Sequence, residues 1–160
     1  MPDFVFNPAA YGPVVAGLLS TERVPVLGPG SPVSAARAKL RAFDPKTGLG
    51  RPVTDTNAAR ACHSGLCLLF DHLDESHSIS QDLHTSEGSF WHAVMHRREP
   101  DAWNSKYWWR KVGSHPVIDT LAELSPSLGV AYRSPFDFVD LCERVRGTGT
   151  SEEDLSLIHI

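Results

Sequence analysis

Apolar positions recur along the chain at helical spacing, and clusters of glycine and proline cut that recurrence into segments. Between Thr56 and about Ser80, Cys62, Leu66, Leu69 and Leu73 follow at intervals of four, three and four residues, the inward stripe of an amphipathic helix. Upstream, Asn7 before Pro8 reads as an N-cap with proline at the first helical position, opening a helix over Ala9 to Leu19. A loop rich in proline and glycine covers Arg23 to Pro32. A short helix over Val33 to Phe43 follows, and then an Asp44-Pro45-Lys46-Thr47-Gly48 turn.

Downstream, Thr85 or Ser86 caps a helix that runs to about Arg98, since Glu99 precedes Pro100 and is biased out of the α region. Asp101 starts the next helix, and Gly113 ends it. His115-Pro116 opens a shorter one to Leu124, and Ser134-Pro135 opens another to Arg146. No strand-like alternation and no internal repeat is present. The expected fold is therefore all-α, an irregular bundle of about six to seven helices forming a single domain over residues 1–150. Residues 151–160 read as the start of a truncated helix. Ser151 caps it and Glu152, Glu153 and Asp154 complement its dipole, but the chain ends in Leu155-Ser-Leu-Ile-His-Ile160, which resembles a translated adapter sequence. The bundle is thus expected to lack a C-terminal helix.

Composition narrows the function classes. A formal net charge of -4 gives no overall attraction to nucleic acid or to anionic membrane, so neither is expected as a partner. No apolar run approaches a membrane span, and no signal peptide is recognisable. Cys62, Cys67 and Cys142 form no C-x-x-C pair and are odd in number, which points to reduced thiols and a cytoplasmic setting.

Candidate chemistry gathers in the middle of the chain. Between Arg60 and Arg97 there is no lysine or arginine, while His63, His72, His77, His84, His92 and His96 fall there with Asp71, Asp74, Glu75, Asp82 and Glu87. Lone pairs free of fixed cations suit metal ligation or proton transfer. His92 and His96 lie one helical turn apart and can share a metal, although the glutamate of H-E-x-x-H is missing. Asp74 and His77 put a carboxylate and an imidazole on one face in the same way. These four are the candidate catalytic residues and the candidate ligands of a divalent metal. Helical angles place His92 and His96 opposite the arc of Phe90, Trp91, Ala93, Val94 and Met95, where a solvent-facing pair belongs unless the helix is sandwiched.

Arg97 and Arg98 return to the apolar arc. A buried guanidinium requires a partner, either a carboxylate tying helices together or a bound anion. With Asp101, Asn104, Lys106 and Tyr107 they form the candidate binding site for a small anionic substrate. Two functions of different class follow from these residues. One is an enzyme with a His/carboxylate centre beside an anion pocket, and the other is a non-catalytic module that binds an anion or a protein. The stretch from Glu87 to Pro116, with Asp74 to Gln81 upstream, resembles a family of uncharacterised bacterial and fungal proteins. They share the pattern W-H-x-x-x-H-R-R-E-P-D, here Trp91 to Asp101, followed by N-x-K-Y-W, here Asn104 to Trp108. The resemblance covers about Leu66 to Pro116 and implies that these residues matter, without implying a reaction.

Overall fold

In the computed structural model, which describes residues 7–20, 23–129 and 132–151, the architecture is all-α with no strand among those residues. Eight helices follow in order: α1 (Gly12–Leu19), α2 (Ser34–Ala42), α3 (Thr56–Leu69), α4 (Leu73–Ser80), α5 (Ser86–Arg98), α6 (Ala102–Val112), α7 (Pro116–Leu124) and α8 (Pro135–Val145). Short 3-10 turns at Pro8–Tyr11 and Ser125–Leu128 flank α1 and α7. The expected helix begun at Ser151 lies, beyond that residue, outside the described residues.

Side-chain caps set most of these starts. Asn7 accepts from the Ala9 amide, Asp55 from those of Asn57 and Ala58, Thr85 from Gly88, Asp101 from Asn104 and Ser134 from Asp137. The expectation for the first helix needs correction, because the Asn7 cap leads into the 3-10 turn and the α-helix begins only at Gly12. There the backbone turns to a φ of 82° and packs against Gly50, leaving no room for a Cβ.

The expected single helix from Thr56 to Ser80 is two helices, which brings the total to eight. Its break falls at Phe70-Asp71-His72, where Asp71 adopts a φ of 60°. Asp is one of the few residues that tolerate this left-handed region. Here the kink turns the Asp71 carboxylate inward onto Arg23 and Arg98, so the ion pairs offset the cost of the backbone. Spacing alone missed it because the apolar stripe continues through the corner to Leu73.

Helix α5 occupies the centre and packs on α3, α4 and α6. One core cluster surrounds it with Leu68, Leu73, Phe90, Ala93, Val94, Met95, Trp109, Val112 and Val139. A second joins α1, α2 and α3 through Val15, Leu18, Leu40, Phe43 and Leu66, and a third holds Leu27 and Tyr132 against α8. Close approach is needed twice. A Cβ on Gly88 would lie 2.3 Å from the Leu83 carbonyl oxygen, so only glycine lets α5 start this close to the preceding loop. Where α5 and α6 cross, the small residues Ala93 and Ser105 are fully buried, and the Ser105 hydroxyl donates to the Ala93 carbonyl at 2.7 Å.

Candidate metal centre

Surrounded on several sides, α5 cannot present an outer face. His92 and His96, opposite the apolar arc, are 2% and 5% exposed. The sandwiched arrangement holds, and the solvent-facing pair does not. What they meet is α4, whose His77 comes from the adjacent helix. His77, His92 and His96 each offer a ring nitrogen, and these atoms lie within 4.8 Å of one another. The ring centroids are 4.8 Å (His77 to His92), 5.4 Å (His77 to His96) and 4.7 Å (His92 to His96) apart. A buried group of this kind can hold a metal ion. A tetrahedral ion with Zn–N bonds of about 2.0–2.1 Å spaces its ligand nitrogens about 3.3 Å apart, so side-chain adjustments of about 1 Å close the site.

Polar groups stand behind two of the rings. Buried Ser80 hydrogen-bonds His92 Nδ1 at 2.8 Å and also lies 2.8 Å from the Ser76 carbonyl oxygen. A carbonyl only accepts, so the single hydroxyl proton goes to Ser76 and His92 Nδ1–H donates to Ser80 Oγ. That tautomer leaves the Nε2 lone pair of His92 free for a cation. Behind Ser80 the chain of hydroxyls continues, with Ser64 Oγ 2.7 Å from Ser76 Oγ and 3.1 Å from the Ser76 carbonyl oxygen. For His96, Nδ1 faces the Glu99 carboxylate at 3.3 Å and Asp101 at 4.0 Å, without the alignment of a hydrogen bond. Carboxylates at this position orient a ligating imidazole.

Burial favours the neutral imidazoles of His92 and His96. Burial pushes His92 down to about 3, helped by the neighbouring His96, His77 and Lys111 charges. Burial likewise lowers His96, against the opposing pull of Glu99 and Asp101. A neutral imidazole is the ligating form. Trp108 closes one side, its ring 4.1 Å from that of His92, and Lys111 sits 4.2 Å above Trp108. His77 is only half-buried, so the cluster meets solvent on its side.

The other predicted residues are dispersed. Asp74 is exposed and lines a separate hollow with Arg37, Arg41, His63, His72 and Glu75, outside the group formed by the three histidines. Arg98 is fully buried and spent on structure, binding Asp71 and donating to the Leu68 carbonyl at 2.5 Å and the Gly28 carbonyl at 3.1 Å. Arg97 points to the opposite side of α5, into an apolar cavity. Asp101 caps α6 by accepting from the Asn104 amide, and Lys106 pairs with Asp140 at 2.5 Å. Tyr107 stacks on the exposed Trp103.

Of the remaining histidines, His63 bonds the Leu40 carbonyl at 2.9 Å, and His72 lies 3.2 Å from the Val33 carbonyl oxygen and 3.3 Å from Glu75, which are structural roles. Ser80, Glu99, Trp108 and Lys111 were not anticipated around the site. The only sequence signal for Ser80 is its spacing of four from Ser76 on α4, which marks a shared helix face but no partner. No family model, curated protein or solved structure matches the chain. The three cysteines are unpaired, and no helix among the described residues is long and apolar enough to cross a membrane.

Proposed function

We propose that the chain is a metal-dependent protein in which His77, His92 and His96 bind one divalent ion of the zinc type, and that the centre acts on a small anionic substrate. The observation that carries this reading is the convergence of three ring nitrogens within 4.8 Å, with His92 held in its ligating tautomer by Ser80. Structural zinc sites are closed by four protein ligands, whereas three leave a position for water or substrate. An ion there would supply Lewis acidity to a bound water or oxyanion. His77, at the half-buried edge, faces the route by which a substrate would enter. Lys111, whose charge acts on His92 and which stacks on Trp108 beside it, would draw an anion toward the open position. Glu99 would orient His96 and take up a proton on the Nδ1 side. Arg98 has no part in this chemistry, because Asp71 and backbone carbonyls saturate it.

Cobalt titration of tag-free, chelator-treated protein tests the reading, because Co²⁺ in a tetrahedral histidine site absorbs visibly. One equivalent is expected to bind. His92→Asn and His96→Asn should each abolish the spectrum, and Ser80→Ala should weaken binding about 10- to 100-fold. A titration that never saturates, or one that His92→Asn leaves unchanged, contradicts the proposal.

A further inference from the structure

On the face of α5 turned away from the histidines, Phe90, Val94 and Arg97 recur at intervals of four and three residues and line a cavity of about 320 Å³. Trp109, Tyr132 and Phe138 supply other walls. Its lining is overwhelmingly apolar, yet it ends on Arg97, which is only 4% exposed. The guanidinium sits 4.9 Å from the centre of the Phe138 ring, and its Nε has no hydrogen-bond partner.

Among the described residues no carboxylate lies within salt-bridge reach of Arg97, and the acids nearby are already taken. Asp71 serves Arg98 and Arg23, and Glu143 serves Arg146, whose other terminal nitrogen donates to the Arg97 carbonyl at 2.8 Å. Glu87 also lines the cavity, but it stands ten residues earlier on the same helix, about 15 Å away along the axis. The neighbouring cations Arg98 and Arg146 add to the local positive charge. Guanidinium does not give up its proton in proteins, so Arg97 is a buried, uncompensated cation facing an apolar chamber.

We propose that this cavity is a second site, separate from the histidine centre, that binds an amphiphilic monocarboxylate with its carboxylate on Arg97 and its apolar body between Phe90, Val94, Trp109 and Phe138. One guanidinium in a largely apolar lining selects one negative charge on a hydrocarbon or aromatic body. Tyr132 is positioned to assist. Burial raises its phenol to about 12, so it remains a neutral hydrogen-bond donor beside Arg97. At about 30 Å³ per water-sized group, the chamber holds about ten non-hydrogen atoms, the size of octanoate. The inference is independent of metal binding, since the two sites lie on opposite faces of α5.

Calorimetric titration of the full chain with octanoate and with 1-octanol, both in the presence of a chelator so that no metal captures the carboxylate, tests it. Octanoate is expected to bind once per chain and at least about tenfold more tightly than the alcohol. Arg97→Met should erase that preference, and Leu121→Trp, which fills the cavity from α7, should remove binding of both. Equal affinity for acid and alcohol, no saturable binding of octanoate, or an unchanged preference in Arg97→Met would each overturn the proposal. The acid-to-alcohol comparison on the unaltered chain decides the matter even if a variant fails to fold.

Discussion

Arg97 and Arg98 are adjacent in sequence and buried alike, but their electrostatic situations are opposite. Arg98 reaches Asp71 and the carbonyls of Leu68 and Gly28, so its charge and its donors are satisfied. The pair joins the α3–α4 corner to the end of α5 and to the 23–32 loop, where Arg23 adds a second cation and donates to the Leu69 carbonyl at 2.7 Å. Removing one member of such a buried network leaves the rest desolvated without compensation. Arg98→Met is therefore expected to lower unfolding free energy by about 3–5 kcal/mol in a urea titration. A loss under about 0.5 kcal/mol would show that the network is not a structural tie. Arg97→Met removes an unpaired charge, so the same titration should find it neutral or stabilising.

At the scale of elements, α5 is the piece whose faces were hardest to assign from residues alone. Phe90 to Met95 mark an apolar arc correctly, but polar residues opposite such an arc ordinarily mean solvent. Here they mean a third layer, because α4 turns back at Asp71 and lays His77 across His92 and His96. The fold class, the caps at Thr85, Asp101 and Ser134, and the burial of one arginine with an acid were legible, since each depends on spacing within one helix. Among the histidines, His92 and His96 were legible as a pair at spacing four and His77, with Asp74, as a further candidate ligand. That His77 reaches the pair while Asp74 stays outside the group depends on a corner that the continuous stripe through Leu73 conceals.

Burial of these histidines has a consequence for stability. In the unfolded chain His92 titrates near 6.5, whereas in the folded chain it is held down at about 3 and His96 is lowered as well. Between those values the unfolded state binds more protons, so stability falls as the pH drops from about 6.5 toward 3 and is fully present above that window. The expected slope reaches about 1.4 kcal/mol per pH unit for each histidine that stays neutral. Unfolding titrations from pH 7 to 4 check this. His92→Asn should flatten the slope, and a variant as pH-sensitive as the parent would place the acid sensitivity elsewhere.

Taken as a whole, the molecule uses one central helix to separate two environments. The α4 side gathers imidazoles backed by hydroxyls and carboxylates, and the opposite side ends an apolar cavity on an unpaired guanidinium. That division explains why the expected anion site over Arg97, Arg98, Asp101, Asn104, Lys106 and Tyr107 does not assemble as one pocket. Successive residues of a helix diverge by about 100°, so neighbours in a motif face different layers. Reading these residues as one site required knowledge of which layers exist, and that information lies in the α3–α4 corner and the α6–α8 contact. The central claim, a three-histidine metal centre, is tested most directly by zinc K-edge X-ray absorption on chain loaded with one equivalent of zinc. The account predicts a first shell with three imidazole nitrogens at about 2.0–2.1 Å and a further light-atom ligand from solvent. A shell without histidine scattering, or zinc that dialysis removes completely, would contradict it.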